Sequence, residues 1–90
     1  MQVVQLLGTG DAFNAGLMCA NGMGMERNAA EAAKWYAVAA EQGHAQAQFF
    51  LGLLYANGDG IPADAEQARV WFSRAAAQGL DEAAILLEQL

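Results

Sequence analysis

Basic residues are scarce in this chain. Four lysines and arginines stand against ten acidic residues over 90 positions, a formal net charge of −6. Such a surface repels phosphate backbones, which argues against a nucleic-acid partner and favours a basic one at low salt. The same modest charge also suffices simply to keep a small domain in solution. There is one cysteine, Cys19, so no intrachain disulfide can form, and the usage leans towards a reducing compartment. One histidine, His44, rules out a histidine-rich metal cluster. No apolar run approaches the roughly 20 residues that span a bilayer. The opening "MQVVQLLGTG" has no basic region before its short apolar stretch and does not read as a signal peptide. The expected location is therefore cytoplasmic as the sequence stands, and periplasmic or secreted if a signal peptide has been removed.

What the chain has instead is alanine, ten glycines and a repeat. Sliding the sequence by 36 positions places Phe13 on Phe49, Gly16 on Gly52 and Leu17 on Leu53. Ala20, Asn21, Gly22 and Gly24 fall on Ala56, Asn57, Gly58 and Gly60, and Trp35 falls on Trp71. Met25 pairs with Ile61, Asn28 with Asp64, and Tyr36 with Phe72. A period between about 20 and 50 residues marks a stacked repeat architecture. Each copy contains two helices. In the second, "AQAQFFLGLLYA" (about Ala45 to Ala56) places Ala47, Leu51, Leu54 and Tyr55 at helical spacing. "NGDG" then stops the helix. The next helix starts after "IPAD": Pro62 suits a helix entry and Asp64 is a natural N-cap, with Asn28 as its counterpart in the first copy. Ala68, Trp71, Phe72, Ala75 and Ala76 are expected to be that helix's buried face. Gly16 and Gly52 sit mid-helix, where they permit close helix approach, with Ala32 and Ala68 as the expected opposing surfaces. Trp35 and Trp71 are expected to fill the space between neighbouring hairpins.

After Gly79, "LDEAAILLEQL" restarts the first-helix pattern, with Ala83 on Ala47 and Ile85 on Phe49, and departs from it at Glu88. It reads as a helix that closes the stack. The expected fold is all-α: a short α-α superhelix (solenoid) of antiparallel helix hairpins, two full repeats plus a C-terminal capping helix. The expected organisation is one domain over 1–90, with repeat one at about 10–43, repeat two at about 44–79 and the capping helix at about 81–90. "VVQLL" near the start is a candidate makeshift cap for the other end.

These residues resemble the Sel-one-like repeat, a relative of the tetratricopeptide repeat. The resemblance is carried by "LG-x-x-Y-x-x-G-x-G" from Leu51 to Gly60, "A-x-x-W-[FY]" from Ala68 to Phe72 and "AA-x-QG" from Ala75 to Gly79. The first copy departs at Ala15, where leucine is usual, and at Cys19, where tyrosine is usual. The resemblance implies a helical solenoid with a concave face and a non-catalytic adaptor role towards other proteins. Bacterial members look linked to secretion, envelope assembly, toxin immunity and host contact.

Catalytic alternatives find little support in the residues. "LLGTGDAF" looks like the opening of a metallo-β-lactamase-fold hydrolase, but that fold needs a cluster of histidine and aspartate ligands that this chain lacks. The segment reads instead as the start of the first helix, with Gly8 to Gly10 as the preceding turn. "YANGDGIPADAE", taken as a calcium loop, would put Tyr55 at the first ligand position, where it cannot serve. Cys19 lacks the base and electropositive setting of a nucleophile and reads as core. His44 reads as a solvated junction residue, and Glu31, Glu41, Glu66 and Glu82 as solvated helix faces. No cofactor or metal site is expected.

If the first helices line the inner surface, as the resemblance implies, Gln46, Phe50, Leu53 and Asn57 share one face at i, i+4, i+7 and i+11. Gly10, Asn14, Leu17 and Asn21 are their counterparts. The candidate partner-binding residues are therefore Asn14, Leu17, Asn21, Gln46, Phe50, Leu53 and Asn57. Amides suit a peptide backbone and Leu and Phe bury side chains. Phe50 and Leu53 also fit a purely core role, and Phe49 supplies the aromatic contact if the helix is rotated slightly. The leading expectation is a protein-protein interaction module. The alternative is a self-associating structural element or a fragment of a longer array, including a toxin-immunity or envelope adaptor, with a homo-oligomer as one form.

Overall fold

The computed structural model describes residues 9–22 and 26–90. Among them are five helices and no strand: α1 (Thr9–Asn21), α2 (Ala29–Glu41), α3 (Ala45–Asn57), α4 (Ala65–Ala77) and α5 (Asp81–Gln89). The pairs α1 with α2 and α3 with α4 form hairpins, α2 packs on α3, and α5 packs on α4. "VVQLL", Gly8, Gly24 and Met25 lie outside the described residues.

The two copies repeat at the level of single hydrogen bonds. Asn28 N–H donates to Cys19 O at 2.7 Å, and one period later Asp64 N–H donates to Tyr55 O at 2.9 Å. His44 N–H donates to Ala39 O, as Leu80 N–H does to Ala75 O. The expected caps are in place: Asn28 Oδ1 accepts from Glu31 N–H, and Asp64 Oδ1 accepts from the N–H groups of Glu66 and Gln67. Each satisfies donors that the helix cannot pair internally. As expected, the helix starts directly after "IPAD": α4 begins at Ala65, with Asp64 as its cap and Pro62 in the entry to it. The turn expected over Gly8 to Gly10 is shorter than its glycines suggest. Thr9 and Gly10 already belong to the first turn of α1, where N–H groups have no intrahelical partner to lose.

His44 corrects a second expectation. It is not simply solvated: it is half-buried and is the N-cap of α3, its Nδ1 accepting from Ala47 N–H at 3.1 Å. Its ring stacks on Phe13 with centroids 4.6 Å apart. Glu31 is likewise not merely solvated, since it faces Lys34 at 3.7 Å across one helical turn. At that exposure the pair contributes about 0–1 kcal/mol.

The buried faces follow the pattern. Ala68, Trp71, Phe72 and Ala75 are buried, while Ala76 is half-buried. Trp71 on α4 belongs to the cluster that runs from the first hairpin, with Ala32 and Tyr36, into α3, with Ala47 and Leu51. Trp35 is half-buried at the edge of that same core. The glycines make close contacts. A Cβ on Gly16 would lie 2.6 Å from the Tyr36 ring, and one on Gly52 would lie 2.7 Å from the Phe72 ring. Aromatic rings lie nearest the two glycines, because a flat ring fits the surface a missing side chain leaves.

One buried polar group joins the hairpins. Gln48 on α3 is 4% exposed and donates from Nε2 to Ala40 O at the end of α2. Its Oε1 accepts from Gln78 Nε2, which also donates to Gly43 O. Gln48 thereby ties the end of α2 to the end of α4, with its buried polar atoms satisfied.

Candidate functional site

The first helices of the two repeats, α1 and α3, are nearly free of charge. α1 carries Asp11 as its one charged residue, and α3 carries none. Between them lies a hollow of about 350 Å³ lined by Leu17, Ala20, Asn21, Arg27, Tyr36, Phe50, Leu53 and Leu54. Its volume suits one or two side chains with their backbone rather than a whole helix. Leu17, Ala20 and Asn21 come from α1, and Phe50, Leu53 and Leu54 from α3. Tyr36 comes from α2, and Arg27 from the segment just before it. A larger hollow of about 640 Å³ lies over Glu66, Arg69, Val70, Ser73 and Arg74. All five belong to α4, so no second element walls it.

Of the seven residues singled out by sequence, the structure brings four to this hollow: Leu17, Asn21, Phe50 and Leu53. Asn14, Gln46 and Asn57 are exposed and lie outside its lining. Phe50 is both wall and core, its ring stacked on Phe13 at 5.6 Å and tilted against Tyr36 and Phe49. Phe49 turns towards Phe72 and does not line the hollow. Cys19 is buried.

Arg27 and Tyr36 were missed by the helix-face argument, because neither lies on a first helix. Arg27 pairs with Asp59 through Nη2 at 2.9 Å, joining the loop before α2 to the loop after α3. The Arg27 side chain stays 61% exposed, so most of its donors are free for other work. Tyr36 is 3% exposed. Its ring is held over Gly16 and against Phe13 and Phe50. Its hydroxyl makes no hydrogen bond to another described residue. Tyr36 itself is part of the hollow's lining. The signal that finds both residues is the difference between the copies. One period on, Arg27 becomes Ala63 and Tyr36 becomes Phe72.

Burial pushes the Tyr36 phenol above its ordinary value of 10.0, and the nearby Cys19 adds to the shift. The fold therefore holds the proton more tightly than the unfolded chain does. The stability this supplies is complete below about pH 10 and is lost as pH rises through the folded value. Thermal melts at about pH 8 and about pH 11 are expected to show a larger loss for the wild type than for Tyr36→Phe. Equal losses would mean that the phenolate is formed without cost.

Among the described residues, no group of three or more His, Cys, Asp or Glu side chains is placed to hold a metal ion. No helix among them is long and apolar enough to cross a membrane. Antiparallel helix hairpins stacked by a fixed 36-residue period, with a trough between first helices, define an α-helical repeat protein. The Sel1 repeat family model matches twice, over residues 12–44 and 45–80, and the chain belongs to that family. Such repeats generally mediate protein-protein interaction, and proteins built from them are typically non-catalytic scaffolds.

Among solved structures, the chain is similar to a Sel1 repeat protein from Oxalobacter formigenes, at 37% identity and a TM-score of 0.89. The match covers 97% of this chain and 36% of that one. A protective antigen of uropathogenic Escherichia coli strains, displaying an SLR fold, matches at 39% identity and a TM-score of 0.82, over 83% of this chain and 16% of its own. Cysteine rich protein B of Helicobacter pylori, at 23% identity and a TM-score of 0.86, shares the fold over 92% of this chain and 62% of its own. The chain thus spans less than two thirds of each of these proteins. No curated protein matches it.

Proposed function

We propose that this chain is a non-catalytic interaction module whose inner face receives an extended peptide segment of a partner protein. The observation that carries the reading is the hollow between α1 and α3, which joins apolar Leu17, Phe50, Leu53 and Leu54 to the Asn21 amide. An extended segment leaves every second side chain free to enter a pocket while its backbone seeks amide partners. The scarcity of charge on α1 and its absence from α3 fit that ligand, since no desolvated charge on α3 has to be paid for when the trough closes. Asn14, Gln46 and Asn57, exposed on the same two helices, extend the amide-rich track beyond the hollow.

The test is selection of twelve-residue peptides from a displayed random library, with the wild-type chain as bait and Leu53→Glu as counter-bait. Leu53 is half-buried, so the variant is first required to melt cooperatively. Enriched peptides are expected to bind the wild type at least tenfold more tightly than the variant, the effect of placing a charge against an apolar ligand group. Peptides that bind both proteins equally would remove the inner face from the account.

A further inference from the structure

On the reading that the hollow takes a peptide, we propose that it selects a segment carrying one acidic side chain next to an aliphatic or aromatic one. The carboxylate is received by Arg27 and the Tyr36 hydroxyl. Three observations carry this. The first is a phenol in the lining. Tyr36 is 3% exposed, lines the hollow and has a hydroxyl without a protein hydrogen-bond partner among the described residues. A hydroxyl held in an apolar wall is a donor waiting for an acceptor.

The second is that the fold does not need that hydroxyl. At the equivalent place in the second hairpin, Phe72 packs over Gly52 as Tyr36 packs over Gly16, and Phe72 is 1% exposed. The ring is therefore the structural requirement, and the oxygen is an addition confined to the ring that lines the hollow. The third is charge. Arg27 is the one cation in the lining, in a chain with four basic residues and a net charge of −6. Its counterpart is the uncharged Ala63. Asp59 occupies Nη2 alone at 2.9 Å, and a guanidinium has five N–H donors.

Arg27, Tyr36 and the Asn21 amide can all donate to a carboxylate, and the leucines beside them take the neighbouring apolar side chain. A cationic ligand group would meet Arg27 directly. The net negative charge of the protein limits the ligand to few carboxylates, because a polyacidic segment is repelled at long range. The trough runs along two helices, with exposed amides on both, so a chain passes through it and the acid is an internal side chain rather than a chain end.

The experiment uses fluorescein-labelled ten-residue peptides with Ser and Ala flanks and amidated ends. Their central pair is Leu-Glu, Leu-Gln or Leu-Lys, and a fourth peptide ends in Leu-Gln with a free carboxylate. Fluorescence anisotropy is expected to give about tenfold tighter binding of Leu-Glu than of Leu-Gln, the effect of one charge-assisted hydrogen bond. Leu-Lys is expected to bind more weakly than either. Arg27→Ala is expected to bring the Glu-to-Gln ratio close to one, and Tyr36→Phe to reduce it severalfold with little change in melting below pH 9. Binding abolished by Leu53→Glu but indifferent to Glu against Gln would overturn the carboxylate site and leave the peptide reading standing. Equal or stronger binding of the free-carboxylate peptide would also overturn it. Failure of all four peptides to bind would overturn both readings.

Discussion

Replacing Gly60 by alanine is expected to cost roughly 2–5 kcal/mol, far more than a surface turn ordinarily loses. Two effects add. The residue has φ +79, where an L side chain costs about 1–2 kcal/mol. A Cβ there would also stand 2.5 Å from Ala29 C and Ala30 N, and 2.7 Å from Ala29 Cβ. The colliding atoms are mostly backbone, at the start of α2, so no side-chain rotation relieves them. Gly79 is the control. Its φ is +97, yet a Cβ there would meet nothing within 4 Å. Gly79→Ala therefore reports the conformational penalty alone, about 1–2 kcal/mol. The excess of Gly60→Ala over Gly79→Ala, read from urea unfolding, measures how closely the loop after α3 is seated on the preceding hairpin. Equal losses would mean that the loop does not bear on α2.

The repeat made most of the fold legible. Identical residues 36 apart imply identical local structure, and the bonds from Asn28 to Cys19 and from Asp64 to Tyr55 bear that out atom for atom. Asn28 and Asp64 were readable as caps because short polar side chains reach back to the first turn. His44 was not readable, since imidazole is an unusual cap and its role depends on Phe13 supporting the ring from another helix. The rings nearest Gly16 and Gly52 were not readable, because spacing locates a residue on a face but does not say which neighbour's ring turns over it. The candidate site was legible to the extent that helical periodicity reaches. Leu17, Asn21, Phe50 and Leu53 were found by counting turns. Arg27 and Tyr36 enter from other elements, and their presence depends on how α2 lies across α1 and α3. Asn14, Gln46 and Asn57 satisfy the same periodicity but fall beyond the walls of the hollow. Ile85 marks the limit of the repeat argument: it aligns with half-buried Phe49 but is 54% exposed.

Trp71→Ala is expected to destabilise the protein by roughly 3–5 kcal/mol, lowering Tm by roughly 15–30 °C. The indole is 8% exposed and sits in a core cluster shared by both hairpins, with the Arg74 guanidinium 4.7 Å above its ring. Removing it deletes the wedge between hairpins and leaves a cavity in the cluster they share. Trp35→Ala is expected to cost about half as much, because that indole is half-buried and the lost transfer energy scales with the area removed from water. If the two substitutions cost the same, Trp71 is not the wedge. The loss is also expected to be uneven. Amide hydrogen exchange in the Trp71 variant should quicken more in α4 and α5 than in α1 and α2, since the second hairpin loses its seat. The hollow draws Leu17 and Asn21 from one hairpin and Phe50 and Leu53 from the other. A substitution that loosens the joint between hairpins therefore separates its walls, and peptide affinity should fall although Trp71 does not line the site.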